Sequence, residues 1–233
     1  ALTLAASLQN AHVTVVMPHN TPAVKVENVK RYGGEIVFCE PTHESREGTL
    51  SQLVERSGAT VVHPYNDERI IAGQGTAAWE LLTAHPDLDA IVAPVSGGGL
   101  LSGTLLAAQG KNPKIRVYGA EPLEADDTIR SLEAGRIVPN LSVDTIADGL
   151  RAQIGPLTFP IIQQHVTKVL PITEDEIIAA MRLLWERLKI IVEPSGAVPL
   201  AAVLKRPEIF CNQKTGLILS GGNTDLDSLP WSR

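Results

Sequence analysis

The chain has 233 residues, of which 44% are hydrophobic and 20% charged, and its net charge is −6. This composition is typical of a globular protein with one large domain or two smaller ones. The negative charge and the lack of a basic stripe argue against nucleic acid as a partner, and no apolar run is long enough to cross a membrane. Cys39 and Cys211 lie far apart, so we expect reduced thiols in an intracellular, cytoplasmic protein.

Strand-like and helix-like segments alternate along most of the chain. In chain order the sequence predicts a helix over 1–9, a strand over 12–17, a helix over 22–32, a strand over 35–39, a helix over 45–57, a strand over 60–63, a helix over 75–84, a strand over 90–95, a helix over 101–109, a strand over 116–120, helices over 173–189 and 195–204, and a strand over 216–219. This alternation predicts an α/β fold in which helices cover both faces of parallel sheets. A linker over 64–72 divides a small lobe, residues 1–64, from a larger lobe, residues 65–233.

The first nine residues resemble the middle of an apolar helix. They contain no capping residue and no basic leader, which argues against a signal peptide. We therefore expect the sequence to begin inside a domain.

Two glycine clusters each follow a strand-like run: 96–100, with three consecutive glycines, and 219–223. Glycines between a strand and a helix let backbone N–H groups converge on an anion, and the positive end of the helix dipole adds to the attraction. A phosphate group is the expected ligand. The alternative is a pair of tight turns that bind nothing.

Several motifs occur together in an order typical of one enzyme family. The chain resembles the serine racemase and serine/threonine (hydroxyaspartate) dehydratase family of pyridoxal-phosphate (PLP) enzymes, which have the fold of the tryptophan synthase β chain, PLP fold type II. The resemblance covers essentially the whole sequence. It is carried by 71–76 (IAGQGT), 96–100 (SGGGL), 120–127 (AEPLEADD), 145–149 (TIADG), 192–196 (VEPSG) and 219–223 (LSGGN).

The resemblance implies a role for each cofactor-binding position. The loop that holds the PLP phosphate corresponds to Ser96, Gly97, Gly98, Gly99 and Leu100. Ser220 corresponds to the partner of the pyridine nitrogen, and its neutral hydroxyl would leave that nitrogen largely unprotonated. Glu193 and Gly149 correspond to positions beside the cofactor ring. For Glu193 the alternative is a carboxylate at a helix N-terminus, stabilised by the helix dipole.

A divalent-cation site of the racemase branch corresponds to Glu121, Ala125 and Asp127, where Ala125 would offer its backbone carbonyl. Hard oxygen donors at this spacing suit Mg²⁺, Mn²⁺ or Ca²⁺. The alternative is an acidic N-cap, formed by Asp126 or Asp127, on a helix that begins near Thr128.

The family's Schiff-base lysine and its re-face serine correspond to positions upstream of Ala1, so the catalytic residues are left unassigned in this chain. The resemblance further implies a homodimer. Tyr32 and Lys189 match contacts that bind the ATP effector in animal racemases.

The function implied by the resemblance is a PLP-dependent ammonia-lyase. It would dehydrate a small hydroxyl amino acid, L-serine, L-threonine or 3-hydroxyaspartate, with serine racemisation as a possible second activity. Two alternatives stay open: a catalytically inactive subunit that keeps the PLP fold, and a PLP β-replacement synthase of the same fold. The run 145–149 and the pair Glu121 and Asp127 argue against the synthase.

Overall fold

The computed structural model describes residues 1–231, apart from the side chain of His43. The chain divides into two compact units. The first comprises residues 1–62 together with the described residues after 222, and the second comprises residues 63–222. The division expected from the sequence had its boundary after residue 64 and assigned all later residues to the larger lobe.

The first unit is built around a short parallel pair of strands. Its elements are α1 (Leu2–Leu8), β1 (Thr14–Pro18), α2 (Ala23–Arg31), β2 (Glu35–Cys39) and α3 (His43–Ser57). The strands pair in parallel from Thr14 opposite Glu35 to Pro18 opposite Cys39. Helix α3 begins where the Thr42 hydroxyl accepts a hydrogen bond from the Ser45 N–H, which satisfies one of the free donors of the first turn.

The second unit contains a four-stranded parallel sheet in the order β5-β4-β3-β6. Two 3₁₀ turns, Leu123–Ala125 and Asp148–Leu150, interrupt its longer loops. Its helices and strands are α4 (Glu68–Ala84), β3 (Ala90–Pro94), α5 (Gly99–Lys111), β4 (Arg116–Pro122), α6 (Asp127–Ala134), α7 (Thr158–His165), β5 (Lys168–Ile172), α8 (Glu174–Leu188), α9 (Pro194–Lys205), α10 (Pro207–Phe210) and β6 (Thr215–Leu217).

The centre of this sheet is covered by protein on both faces. All five residues of β3 are buried, which requires apolar neighbours above and below the strand. The main core combines side chains from β3 and β4 with those of α4, α5 and α7, among them Leu82, Ile91, Leu105 and Ile162. The predicted α/β fold of parallel sheets flanked by helices is confirmed. Within the described residues no helix has the length and apolarity needed to cross a membrane.

Helices α4 and α5 cross with their backbones almost in contact. A Cβ atom on Gly75 would lie 2.8 Å from the Gly103 carbonyl oxygen, and one on Gly103 would collide with the Gly75 N–H and the Ile71 carbonyl. Both glycines are buried, so the two helices could not approach this closely with any larger residue. Because α5 begins at the glycine cluster after β3, this crossing also positions the start of α5.

The structure corrects two predictions made from the sequence and adds elements that were not predicted. Residues 60–63 are irregular rather than a strand, and Val61 and Val62 remain exposed, because no described strand pairs with their backbone. The expected linker over 64–72 is shorter, since α4 already begins at Glu68 with Asp67 as its N-cap. The sequence did not predict α7, β5 and α10, and it offered a helix near Thr128, now α6, only as the alternative to a metal site.

The helix crossing yields a stability prediction. Gly103→Ala should lower the free energy of unfolding by about 2 kcal/mol, because the added methyl group has no space between the two backbones. Gly73→Ala is the matched control in the same helix pair: Gly73 is exposed and a Cβ there meets nothing within 4 Å. Its higher helix propensity should raise stability by roughly 0.5 kcal/mol. Chemical denaturation measures both, and equal effects would contradict the close crossing.

Candidate cofactor site

The first glycine cluster forms the turn between β3 and α5. Gly98 has a left-handed backbone with φ +91° and occupies the N-cap position, where no side chain caps the helix. The first N–H groups of α5 therefore have no side-chain partner at this end of the helix. They lie at the positive end of the helix dipole, which is an arrangement suited to an anion.

A neighbouring backbone segment, residues 152–158, supports this turn from behind. The Ser96 hydroxyl donates to the Ala152 carbonyl at 3.0 Å and accepts from the Ala152 N–H at 2.9 Å. The Gly97 carbonyl accepts from the Gly155 N–H at 3.2 Å and from the Thr158 hydroxyl at 2.7 Å. The Ser96 side chain thus binds protein backbone, which leaves the backbone N–H groups as the main donors of the turn.

Tyr65 packs directly on the glycine turn. A Cβ atom on Gly97 would collide with the Tyr65 ring, and one on Gly99 would lie 3.0 Å from Tyr65 Cα. His63 fixes this segment, because its Nδ1 accepts from the Asn66 N–H at 2.9 Å and its ring stands edge-on to Tyr65. From the sequence, Tyr65 belongs to the expected linker over 64–72, and only the fold brings it to Gly97.

Two further segments meet at the start of α9. The Ser195 hydroxyl accepts from the Gly149 N–H at 3.0 Å, and the Glu193 N–H donates to the Gly221 carbonyl at 3.0 Å. Glu193 is the N-cap residue of α9, but its side chain makes no capping hydrogen bond. The predicted ring-flanking positions, Gly149 and Glu193, are therefore both tied to this helix start.

Ser220 belongs to the same edge of the sheet as the first glycine turn. Strand β6 pairs in parallel with β3, and the Ile218 N–H donates to the Val92 carbonyl at 3.0 Å. Parallel neighbours end at the same edge, so the turns that follow β3 and β6 are neighbours there. Ser220 is exposed. The structure thus brings together the phosphate loop and the predicted partner of the pyridine nitrogen.

The predicted metal ligands lie at the end of β4. Glu121 is 0% exposed and Asp127 is 1% exposed. The Glu121 carboxylate accepts from the Thr128 N–H at 3.1 Å and from the Ile129 N–H at 3.0 Å. Thus Glu121, rather than Asp126 or Asp127, satisfies the first turn of α6, and Asp126 makes no side-chain cap.

Burial makes both carboxylates costly to ionise. Burial, together with the nearby charge of Asp127, raises the pKa of Glu121 to about 8, although the hydrogen bonds from Thr128 and Ile129 favour the charged form. Desolvation raises the pKa of Asp127 to about 6, although the Ile154 N–H, 2.7 Å from its Oδ2, favours the charged form. A cation would offset this cost. The described residues contain no group of three or more Asp, Glu, His or Cys side chains that could bind a metal, so a site here would include backbone oxygen such as that of Ala125.

Four of the described lysines make contacts away from the glycine turns. Lys111 lies over the Trp79 ring, Lys189 donates to the Glu186 carbonyl, Lys205 pairs with Glu176, and Lys214 pairs with Asp87.

Comparison with known proteins identifies the family. Residues 1–221 match the model of the family described as pyridoxal-phosphate dependent enzyme. The chain belongs to this family. It is 47% identical over 231 residues to a β-hydroxyaspartate dehydratase of Paracoccus denitrificans, covering 99% of this chain and 73% of the relative. It is 48% identical over 234 residues to a serine racemase of Arabidopsis thaliana, covering 98% of this chain and 71% of the relative.

A solved structure gives the same result. Maize serine racemase superposes with a TM-score of 0.94 at 45% sequence identity, covering 99% of this chain and 72% of that chain. The resemblance to serine racemases and dehydratases that the motifs indicated is thereby confirmed, as are PLP fold type II and membership among PLP-dependent enzymes. The roles of the individual site residues stay predictions.

The residues of the glycine turn fit a bound phosphate. Tyr65 and Thr158 occupy the space that a side chain on Gly97 or Gly98 would need. Since no side chain caps α5, backbone N–H groups are the donors available to a ligand. Such a turn binds phosphate through backbone donors and a helix dipole, without requiring a basic side chain.

Gly98→Asp tests this assignment. A Cβ atom on Gly98 would lie 2.6 Å from the Thr158 hydroxyl oxygen, so an aspartate there has to displace the turn and its backbone donors, and we expect the purified variant to lose its bound PLP. Gly135→Asp is the matched control, because Gly135 also has positive φ but is exposed and has open space around it. Absorbance and phosphate analysis give the PLP content. Normal content in a folded Gly98→Asp protein would refute the phosphate role of the turn.

Proposed function

We propose that this protein is a PLP-dependent ammonia-lyase that dehydrates a small hydroxyl amino acid, with serine racemisation as a second activity. The observation that carries the proposal is the meeting of two turns at one sheet edge: an all-backbone anion turn after β3 and the neutral hydroxyl of Ser220 after β6. The serine racemases and the hydroxyaspartate dehydratase among its relatives support the same reaction class.

Each proposed site residue has a defined task. PLP, when bound, withdraws the electrons that remain after a proton leaves the α-carbon of an amino acid. The N–H groups of 97–100 would hold the phosphate. The Ser220 hydroxyl would hydrogen-bond the pyridine nitrogen and, being neutral, would leave it largely unprotonated. Glu193 and Gly149 would flank the ring. This moderated electron withdrawal suits elimination and proton exchange on hydroxyl amino acids.

The substrate candidates share a hydroxyl on the β-carbon. L-Serine, L-threonine and 3-hydroxyaspartate differ only by a hydrogen, a methyl group or a carboxylate at that carbon, so one site could eliminate the hydroxyl from each of them. The inactive subunit and the β-replacement synthase remain the competing proposals. Turnover of a hydroxyl amino acid without a second substrate distinguishes the lyase from both.

A divalent cation is proposed as a second ligand. Glu121, Asp127 and the Ala125 carbonyl would supply hard oxygen donors, and water would complete the coordination of Mg²⁺, Mn²⁺ or Ca²⁺. Two buried carboxylates with raised pKa values support this, because a cation would offset the cost of their burial.

We also propose an oligomeric state, a cellular location and an effector for this protein. The exposed apolar residues Leu188, Ile190 and Ile191 suit a homodimer. The free thiols of Cys39 and Cys211 suit the cytoplasm. ATP regulation through Tyr32 and Lys189 rests on the resemblance to animal racemases alone.

A substrate panel tests the proposed reaction. We expect L-serine to yield pyruvate, L-threonine 2-oxobutanoate and 3-hydroxyaspartate oxaloacetate, each with ammonia, and chiral chromatography to detect D-serine. Ser220→Ala should weaken PLP binding by only about fivefold, the value of one hydrogen bond, while turnover falls further. Ser142→Ala, on an exposed loop, is the control. Bound PLP without turnover of any candidate would favour the inactive subunit, and turnover only with an added nucleophile would favour the synthase.

Removal of metal by a chelator tests the proposed cation site. Mg²⁺ or Mn²⁺ at about a hundred times its dissociation constant should raise the free energy of unfolding by roughly 2.7 kcal/mol, and EDTA should reverse this. Asp127→Asn should abolish the response, since it removes the charge while its amide oxygen can still accept from the Ile154 N–H. Asp144→Asn, on an exposed loop, should respond normally. A melting temperature insensitive to metal and chelator would leave Glu121 as a helix-capping carboxylate only.

A further inference from the structure

One carbonyl group in the glycine turn is held by two donors. Gly97 O accepts from the Thr158 hydroxyl at 2.7 Å and from the Gly155 N–H at 3.2 Å. Both donors come from the segment 152–158, which follows the loop that contains Gly149. Neither donor belongs to the motifs that pointed to the cofactor.

The Thr158 hydroxyl lies between two backbone carbonyl oxygens, Gly97 O at 2.7 Å and Gly155 O at 3.1 Å. Thr158 is 0% exposed, and its hydroxyl oxygen also accepts from the Gly155 N–H at 3.0 Å. Its carbonyl accepts from the Ser102 hydroxyl of α5 at 3.4 Å. A Cβ atom on Gly98 would lie 2.6 Å from the Thr158 hydroxyl oxygen. The threonine therefore fills the space directly behind the Gly97–Gly98 peptide.

Holding this carbonyl also determines where the next N–H group faces. The peptide between Gly97 and Gly98 is planar and trans, so its C=O and N–H point in opposite directions. Anchoring Gly97 O toward the protein interior aims the Gly98 N–H toward the opposite side. Three consecutive glycines allow such a peptide to rotate at little steric cost, so an outside anchor is needed to hold one orientation.

We propose that Thr158 is a positioning residue, which orients the Gly98 N–H for phosphate by anchoring the Gly97 carbonyl. The inference rests on the proposed role of the glycine turn in binding the PLP phosphate. It assigns to a buried hydroxyl the function of keeping a glycine-rich anion site in its binding conformation before the ligand arrives, which reduces the entropy lost on binding.

The test compares the dissociation constants of PLP and of pyridoxal, which lacks the phosphate. Their ratio isolates the contribution of the phosphate, because any contact with the ring or aldehyde affects both ligands. Thr158→Val keeps the shape and removes the hydroxyl, and we expect it to reduce the preference for PLP by about tenfold. Thr158→Ser keeps the hydroxyl and should restore the preference to within about twofold of the unaltered protein.

Thr104→Val is the matched control. Thr104 is also 0% exposed and lies in α5, but its hydroxyl has no hydrogen-bond partner among the described residues. It should retain the full preference for PLP. Thermal unfolding without ligand shows whether each variant is folded, since a purely structural threonine would lower the melting temperature and leave the ratio unchanged.

The outcomes separate two failures. If the unaltered protein shows no preference for PLP over pyridoxal, the phosphate role of the turn fails, and the proposed function fails with it. If the unaltered protein prefers PLP and folded Thr158→Val keeps that preference, only the role of Thr158 is overturned. If Thr158→Val loses the preference for PLP and Thr158→Ser restores it, the positioning role of Thr158 is supported.

Discussion

The glycine turn between β3 and α5, the proposed phosphate site, is held in one conformation although it is made of the least restricted residues. Glycine loses more conformational freedom on folding than any other residue, so a turn of three glycines does not hold its own shape. Groups outside the turn hold its conformation. Ala152 hydrogen-bonds to Ser96, Gly155 and Thr158 hydrogen-bond to the Gly97 carbonyl, and the Tyr65 ring packs against the glycines. The polypeptide thus supplies a side-chain-free surface to a ligand and places the supporting side chains behind it.

Segment 152–158 connects this turn to the buried carboxylates. The Ile154 N–H donates to Asp127, and the N–H of the next residue, Gly155, donates to the Gly97 carbonyl. The proposed metal ligand and the proposed phosphate turn therefore hold two consecutive residues of one backbone. Two hydrogen bonds and one peptide unit thus link Asp127 to the turn.

Glu121 caps a helix and is also a proposed metal ligand. It stands at the end of β4, fully buried, and caps the first turn of α6 from outside that helix. Those N–H groups and the helix dipole offset part of the desolvation cost, yet the pKa of Glu121 stays raised to about 8. A structural role and a metal role are compatible here, because each carboxylate oxygen can accept more than one bond.

The sequence alone determined the fold class and most elements, because periodicity and capping are local. Strand β2 was predicted over its full length, and the capping box of Thr173 and Glu176 begins α8 as expected. Where a segment depends on distant partners, the local pattern was not enough. Residues 60–63 have strand-like composition, but no strand among the described residues pairs with them, whereas the unpredicted β5 pairs with β4.

For the candidate site, too, the sequence predicted what depends on local pattern, and the structure added what depends on distant contacts. Glycines at strand ends and the family motifs predicted the proposed phosphate loop, Ser220 and the carboxylates, because those residue types suit such ligands. Only the tertiary structure added Tyr65, Thr158 and the capping role of Glu121. Their contacts join residues far apart in the chain, such as Thr158 and Gly97 across 61 positions, and no local pattern in the sequence encodes a pairing at that distance.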